Sequence, residues 1–458
     1  MPEETPFANN NTRPVTTVTG PKLLPHLPQI QQDTLGFLMK TAADNGDLTH
    51  FSLGKINAYF VNHPDDIRHI LQENHRNYSK NTIQYNALAQ ITGRGLLTND
   101  GDDWLRNRRL AQPAFTHPRM MDLDRVTVPA AQRMLERWEG LAASGTEVDL
   151  DREMMALTLE VVGLALFNID LSKDASELTG AVITCLDYIV YQARYMVTPP
   201  LWVPTPRNLK FKNGLRILDA AVADIINQRK LAENPGDDLL GMLLRARDEQ
   251  TGAGLSTAQV RDEVITLLIA GHETVASALT WAWRLLTQHP QVRQEMVAEL
   301  KQALGDRLPT SVDLQNLPLI KAVFSESLRL YPPAWLITRR AEGADELRQG
   351  KILPGSLIII SPYVIHRRPD FWDAPEEFKP QRFMDASDSK QHRYAFIPFG
   401  GGPRLCIGNQ FAQVEASLIL ACVLQRFFPE VSHADLVSVD PLVTLRPRGG
   451  MPARLIKI

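Results

Sequence analysis

Helical periodicity runs through the middle of this chain, and it constrains the fold more than any other feature. Apolar residues recur at three- and four-residue spacing. The pattern predicts helices near 31–44, 63–73, 102–113, 125–142, 151–168, 175–196 and 208–230, then near 257–288, 290–304, 318–330 and 407–427. Strand signals are sparse and lie toward the ends. FSLGKINAYFVN, near 51–62, reads as a hairpin, and further strands fit 335–340, 356–361 and the last thirty residues. No internal repeat and no low-complexity linker divides the chain. The pattern predicts a mainly α fold with a small β region, one domain over 21–458. The polar, proline-containing stretch 1–20 is expected to be disordered.

Composition removes several function classes. The chain has 458 residues, 44% of them apolar, which suffices for a sizeable core. A formal net charge of -3, with Lys and Arg scattered, argues against a nucleic-acid partner. The N-terminus lacks a basic start followed by an apolar run, so no signal peptide is read. No run reaches about 18 apolar residues. The most apolar stretches are broken by Asp187 and Arg194, or by His272 and Glu273. A cytoplasmic monomer with no membrane anchor is expected. Cys185, Cys406 and Cys422 form no CxxC pair, which excludes a zinc or disulfide framework. Cys185 and Cys422 sit among apolar residues and read as packed thiols.

Chemistry is densest in FGGGPRLCIG, 399–408. Cys406 follows a glycine-rich turn and precedes a helical pattern. Glycines let backbone approach a flat ligand closely, and N–H groups near a helix start favour a thiolate. A thiolate there is a nucleophile or a metal ligand; the plainer alternative is a buried Cys beside a glycine turn. A dinucleotide loop fits less well, because no strand clearly feeds the turn and the glycine spacing is wrong.

Phe399, Gly400, Gly402, Arg404, Cys406 and Gly408 occupy every signature position of the haem-binding loop of the cytochrome P-450 family. The chain resembles that family over nearly its whole length. The resemblance implies the cytochrome P-450 fold. Haem b (iron protoporphyrin IX) would lie between the helix over 257–288 and the helix after the Cys loop. It further implies Cys406 as the proximal ligand and metal-binding residue, Phe399 packed beside the thiolate, and Arg404 on a propionate. Thiolate ligation would favour O–O cleavage. Phe411, Ala412 and Glu415 continue the family's helix after the loop.

Three more motifs follow in the family's order. AGHET, Ala270 to Thr274, lies in a long apolar helix. Ala270 and Gly271 are small enough to let that helix pass close over a flat cofactor. Thr274 can bond back to a backbone carbonyl and loosen the helix. Read alone, the motif is also a helix end with a polar face; the family places a catalytic acid and alcohol here, Glu273 and Thr274. Glu326 and Arg329, at i, i+3, share a helix face. With Arg382 of PEEFKPQRF they resemble a buried Glu–Arg–Arg set under the haem loop, although Gln381 stands where Glu is commoner. Trp104 and Arg108 in WLRNRR share a helix face. They read alone as a basic surface helix, and by resemblance as propionate partners. Arg339 falls at a further propionate position, with Arg340 its neighbour in doubt. Arg106 and Arg109 would face an acidic electron donor. His272 and His366 are read as network or structural residues.

The resemblance implies a monooxygenase that inserts one atom of O2 into a lipophilic small molecule. Its rivals are a peroxide-driven hydroxylase, a haem-thiolate isomerase and a non-catalytic ligand sensor. The acid–alcohol pair counts against all three. Only 52 residues follow Cys406, too few for a fused reductase. NAD(P)H electrons are therefore expected through a separate ferredoxin or flavodoxin with its reductase. Substrate contacts are expected from a loop near 82–98, the stretch 175–210, the helix over 257–288, Ala334–Thr338 and the neighbourhood of Thr444, with Trp335 narrowing the space. These segments are apolar. Fatty-acid-like or terpenoid substrates are favoured over steroids or aromatics.

Overall fold

The computed structural model describes residues 15–19, 27–195, 198–231, 236–247, 252, 254–384 and 392–458. Its centre is the helix Thr257–Gln288, about 48 Å long at 1.5 Å per residue. Ser256 starts it with a capping box: Gln259 N–H donates to Ser256 Oγ, and Ser256 N–H donates to Gln259 Oε1. Pro290 follows its end and opens the next helix, Pro290–Leu304.

The long helix is apolar on nearly all sides because neighbours cover nearly all of it. Its most extensive contact is with the helix Leu150–Phe167. At Gly271 a Cβ atom would stand 2.9 Å from Val162 Cγ2, so glycine here sets the approach of two helices. Among the described residues this is the one helix long and apolar enough to cross a membrane, and 83% of its apolar window is buried inside the fold. His272 and Glu273 interrupt its residue pattern without lowering the mean below that threshold.

Helices at 290–304 and 318–330 match the sequence pattern, and those at 101–111, 124–144, 150–167, 175–194 and 206–231 match within about two residues. The segment expected to be one helix over 63–73 is an α turn, Pro64–Arg68, passing into a π turn, His69–Glu73. The loop expected near 82–98 is mostly a helix, Ile83–Thr92. Its stripe Tyr85, Leu88 and Ile91 is buried, Thr82 caps its start and Gly93, at φ 57°, ends it. The intervening Asn and Gln residues hide this short stripe. A second unanticipated helix, Leu239–Arg245, is capped by Asp238, which accepts from Gly241 N–H at 2.9 Å.

The β region is larger than the expected strands. Six strands run in the order 16–19, 48–53, 56–61, 357–360, 337–341, 78–79. The expected hairpin is its centre, Leu48–Leu53 against Ile56–Val61. The strand Thr16–Thr19 falls inside the stretch expected to be disordered and pairs in parallel with Thr49–Ser52. Edge pairing, which no local pattern announces, overrides its polar composition; residues 1–14 of that stretch and Gly20 lie outside the described residues. A three-stranded sheet joins Phe427–Val431, Pro452–Lys457 and Val148–Asp149. A hairpin, Val439–Pro441 with Leu445–Pro447, reaches back to the long helix.

Candidate active site

Between the long helix and the glycine-rich loop lies a cavity of about 320 Å³. Its walls include Leu88, Leu97, Leu186, Leu267, Ile269 and Val443, and its floor is the loop Phe399–Gly408. Gly400 and Gly402 both take left-handed backbone, φ 73° and 65°. At Gly402 a Cβ atom would sit 1.9 Å from the carbonyl oxygen of Leu71. The π turn is packed directly beneath the loop, and only glycine fits there. Cys406 N–H donates to Phe399 O at 3.0 Å, which closes the loop.

Cys406 lines the cavity, and its side chain is exposed there. Desolvation raises the Cys406 pKa, while Gly408 N–H, Arg108 and Lys80 lower it. The helix that follows begins at Asn409, with Gly408 as its N-cap. Cys185 and Cys422 are buried, and burial pushes both thiols up to about 12, as packed thiols require.

Four cations line this cavity, Arg108, Arg339 and Arg404 each close enough to Lys80 to repel it. Arg404 lies 4.0 Å over the Trp104 ring, pairs with Asp100 and donates to Asn99 O at 2.8 Å. Arg108 donates to Leu405 O at 2.9 Å. Arg339 is buried and donates to Thr338 O, whereas Arg340 is exposed; strand alternation thus places Arg339 on the cavity. Lys80, 8% exposed, donates to Leu97 O at 2.7 Å. Burial and then the three arginines hold its pKa well below the ordinary lysine value. Burial likewise brings Arg404 down to about 10. Like charges so crowded call for an anion among them. Lys80 escaped sequence reasoning because nothing in YSKNTI distinguishes it from a surface lysine.

In the long helix Thr274 Oγ1 donates to Ala270 O at 2.8 Å, the back-bond its position in AGHET suggests. Ala270, Gly271, Glu273 and Thr274 all border the cavity. The Cβ direction of Gly271 points at Val162, so its smallness serves helix packing and only its backbone meets the cavity. Glu273 is 3% exposed, and burial raises its carboxyl to about 7. His272 points away: it is fully buried, shares a hydrogen with Leu268 O at 2.7 Å, and burial lowers it to about 4. Trp335 does not narrow the cavity. Its indole N–H donates to Leu442 O at 2.8 Å and its ring packs in a separate cluster with Leu35 and Phe60. Its neighbours Ala334 and Leu336 line the wall instead.

Beneath the loop Glu326 and Arg329 are both fully buried and joined by two bonds of 2.7 and 2.8 Å. Arg382 donates to Glu326 Oε1 at 3.1 Å. Arg329 also donates to the carbonyls of His366, Pro375 and Glu377. Burial lowers His366 to about 3. It is therefore neutral: Nε2 accepts Ile397 N–H at 2.8 Å, and Nδ1 donates to Arg329 O. The set is thereby tied to the strand of chain leading into the glycine loop.

A thiol at the floor, apolar walls and a rim of four cations define a pocket for a flat, apolar, metal-bearing group with carboxylates at one edge. The family model described as Cytochrome P450 matches residues 19–451, and the chain belongs to the cytochrome P450 family. It is 35% identical over 426 residues to cyclooctatin synthase of Streptomyces melanosporofaciens, covering 92% of this chain and 91% of that protein. It is 31% identical to pentalenene oxygenase of Streptomyces avermitilis, over 94% and 93% of the two chains. The crystal structure of CYP175A1 from Thermus thermophillus superposes with a TM-score of 0.79 at 29% identity, over 96% of this chain and all of that one. The chain is thus an oxidoreductase of the P450 monooxygenase class, and haem and O2 use follow from the family.

Proposed function

We propose that this protein hydroxylates or epoxidises a cyclic terpenoid, with Cys406 as the thiolate ligand of its haem. The carrying observation is the cavity itself, lined by one thiol, by four cations and by Glu273 with Thr274. The residues fit haem. Lys80, Arg108, Arg339 and Arg404 supply the buried positive charge that two propionates satisfy, and Trp104 stacks on Arg404 to hold it in place. A Cβ at Gly408 would meet nothing nearer than Phe115 at 3.7 Å, so its hydrogen leaves room on the cavity side. Bound haem supplies the iron at which O2 is activated by two electrons, delivered one at a time.

The chain's own residues do the rest. Leucine and isoleucine walls exclude water and hold an apolar substrate by burial rather than by hydrogen bonds. Thr274 Oγ, held by Ala270 O, presents a hydroxyl able to orient a water in the cavity. Glu273, whose carboxyl burial raises to about 7, gives and takes a proton beside it. Cyclooctatin synthase and pentalenene oxygenase favour a terpenoid over a straight-chain fatty acid. Separate electron donors, a ferredoxin or flavodoxin with an NAD(P)H reductase, complete the system.

The test has two parts. The reduced, carbon-monoxide-treated protein should show the red-shifted Soret band of thiolate ligation, and Cys406→Ser should abolish it. A panel of diterpene and sesquiterpene hydrocarbons, fatty acids, steroids and aromatics should give haem spin-state shifts that are tightest for the terpenes. Retention of the band in Cys406→Ser would refute the ligand assignment; a preference for fatty acids would refute the substrate class.

A further inference from the structure

Glu273 is held from behind by the C-terminal hairpin, which carries none of the sequence motifs. Ser277 and Trp281, one and two turns beyond Glu273 on the same helix, both donate to the carbonyl of Leu445, at 2.7 and 2.8 Å. Those bonds clamp the hairpin onto the helix with Thr444 on one side of Leu445 and Arg446 on the other. Thr444 Oγ1 donates to Glu273 Oε1 at 3.0 Å, and Thr444 is itself 4% exposed. Arg446, 7% exposed, forms an ion pair with Asp151, 5% exposed, in the first turn of the helix Leu150–Phe167. Asp149, the N-cap of that helix, has a side chain 32% exposed. It accepts the N–H groups of Asp151 at 3.1 Å and Met451 at 2.9 Å. Two polar atoms beside this strip, Asp151 Oδ1 and His272 Nε2, are buried without a partner among the described residues.

We propose that Thr444 and Arg446 are positioning residues for Glu273, and that Asp151 anchors Arg446 in that place. This rests on the reading of Glu273 and Thr274 as a proton-supplying pair. A carboxyl buried in an apolar helix stays neutral and inert unless its ionised form is held. The charged groups facing Glu273 come from three elements: Arg446 of the hairpin, Asp151 of the helix beneath it and Asp187 of the helix Ala175–Arg194. Arg446 and the Thr444 hydroxyl favour the ionised form; Asp151, Asp187 and burial oppose it. The balance leaves a carboxyl that both gains and loses a proton near neutral pH. Arg446 alone would be a stranded buried cation, and Asp151 removes that penalty.

The experiment uses the haem-loaded protein with a surrogate reductase, and four variants: Glu273→Gln, Thr444→Val, Thr444→Ser and the pair Asp151→Leu with Arg446→Met. The first readout is independent of turnover: the infrared carbonyl band of protonated Glu273, assigned by its loss in Glu273→Gln and followed against pH. Thr444→Val and the double variant should move its midpoint upward. A rise of one pH unit in that midpoint is a ten-fold loss in the ratio of ionised to protonated Glu273 at a given pH. Thr444→Ser should restore the parent midpoint. The second readout is product formed per NADPH, which should fall several-fold in both shifted variants and recover in Thr444→Ser. Midpoints unmoved in Thr444→Val, or no rescue by serine, overturn the inference; if the double variant does not fold, the threonine series still decides. If Glu273→Gln itself leaves product per NADPH unchanged, the reading of the acid–alcohol pair fails instead.

Discussion

Replacing Arg329 with alanine removes more than one ion pair. Its guanidinium makes five hydrogen bonds, two to Glu326 and one each to the carbonyls of His366, Pro375 and Glu377, in a fully buried setting. After truncation Glu326 keeps Arg382 and the Lys379 N–H, so it is not left wholly unpaired. Three carbonyls and half of a carboxylate are nonetheless stranded. Breaking a buried pair from one side costs about 3–5 kcal/mol. Unfolding entropy of about 2.1 cal/mol/K per residue gives, over this chain, about 1 kcal/mol/K. The expected fall in Tm is then about 3–5 °C if the chain melts as one unit. Haem loading should fall further than this, because His366 bridges Arg329 O and the N–H of Ile397 just ahead of the glycine loop. Arg329→Lys should recover only part of the loss, since a point charge cannot reproduce the fork. The assay is thermal melting with the haem-to-protein absorbance ratio on purified protein. Parent Tm and parent loading in Arg329→Ala would refute the reasoning.

Thr274→Ala should keep haem content, consume NADPH, and release more hydrogen peroxide with less product; Thr274→Val should do the same. Unchanged coupling in both would remove the hydroxyl from the mechanism. Lys80→Met should weaken haem retention by about ten-fold, roughly 1.4 kcal/mol, without lowering the Tm of the haem-free protein, because it relieves repulsion with three arginines. Equal haem transfer to apomyoglobin from parent and variant would count against it. Burial raises Glu263 from 4.5 to about 7, although it accepts bonds from Leu96 N–H and Asn107. The fold therefore favours its protonated form. That contribution, up to about 3 kcal/mol, is full below about pH 4.5 and is lost as pH rises through about 7. Glu263→Gln should flatten the Tm decline over that window, and parallel Tm–pH curves would show otherwise.

Which parts of this molecule were legible follows from how local their signals are. Thr257–Gln288 was readable because one element carries both a cap and a sustained apolar pattern. The Cys loop was readable because Gly400 and Gly402 must be glycine: left-handed backbone at both, and at the second the π turn against it. The pairing of Glu326 with Arg329 was readable at i, i+3, and Arg382 joined it only through resemblance. Lys80, Asp151 and the hairpin residues Thr444 and Arg446 lie far apart along the chain, and none has a local partner that betrays its role. Trp335 shows the limit in the other direction. It stands in a stretch that does line the cavity, yet the chain's turn between Ala334 and Leu336 sends its indole to Leu442. Local sequence thus reports which segments reach the site, and only tertiary pairing decides which side chains of those segments face it. The charge balance at Glu273 is the sharpest instance. Its acid was visible in AGHET, while the groups that set its proton affinity come from a hairpin about 170 residues later and a helix about 120 residues earlier.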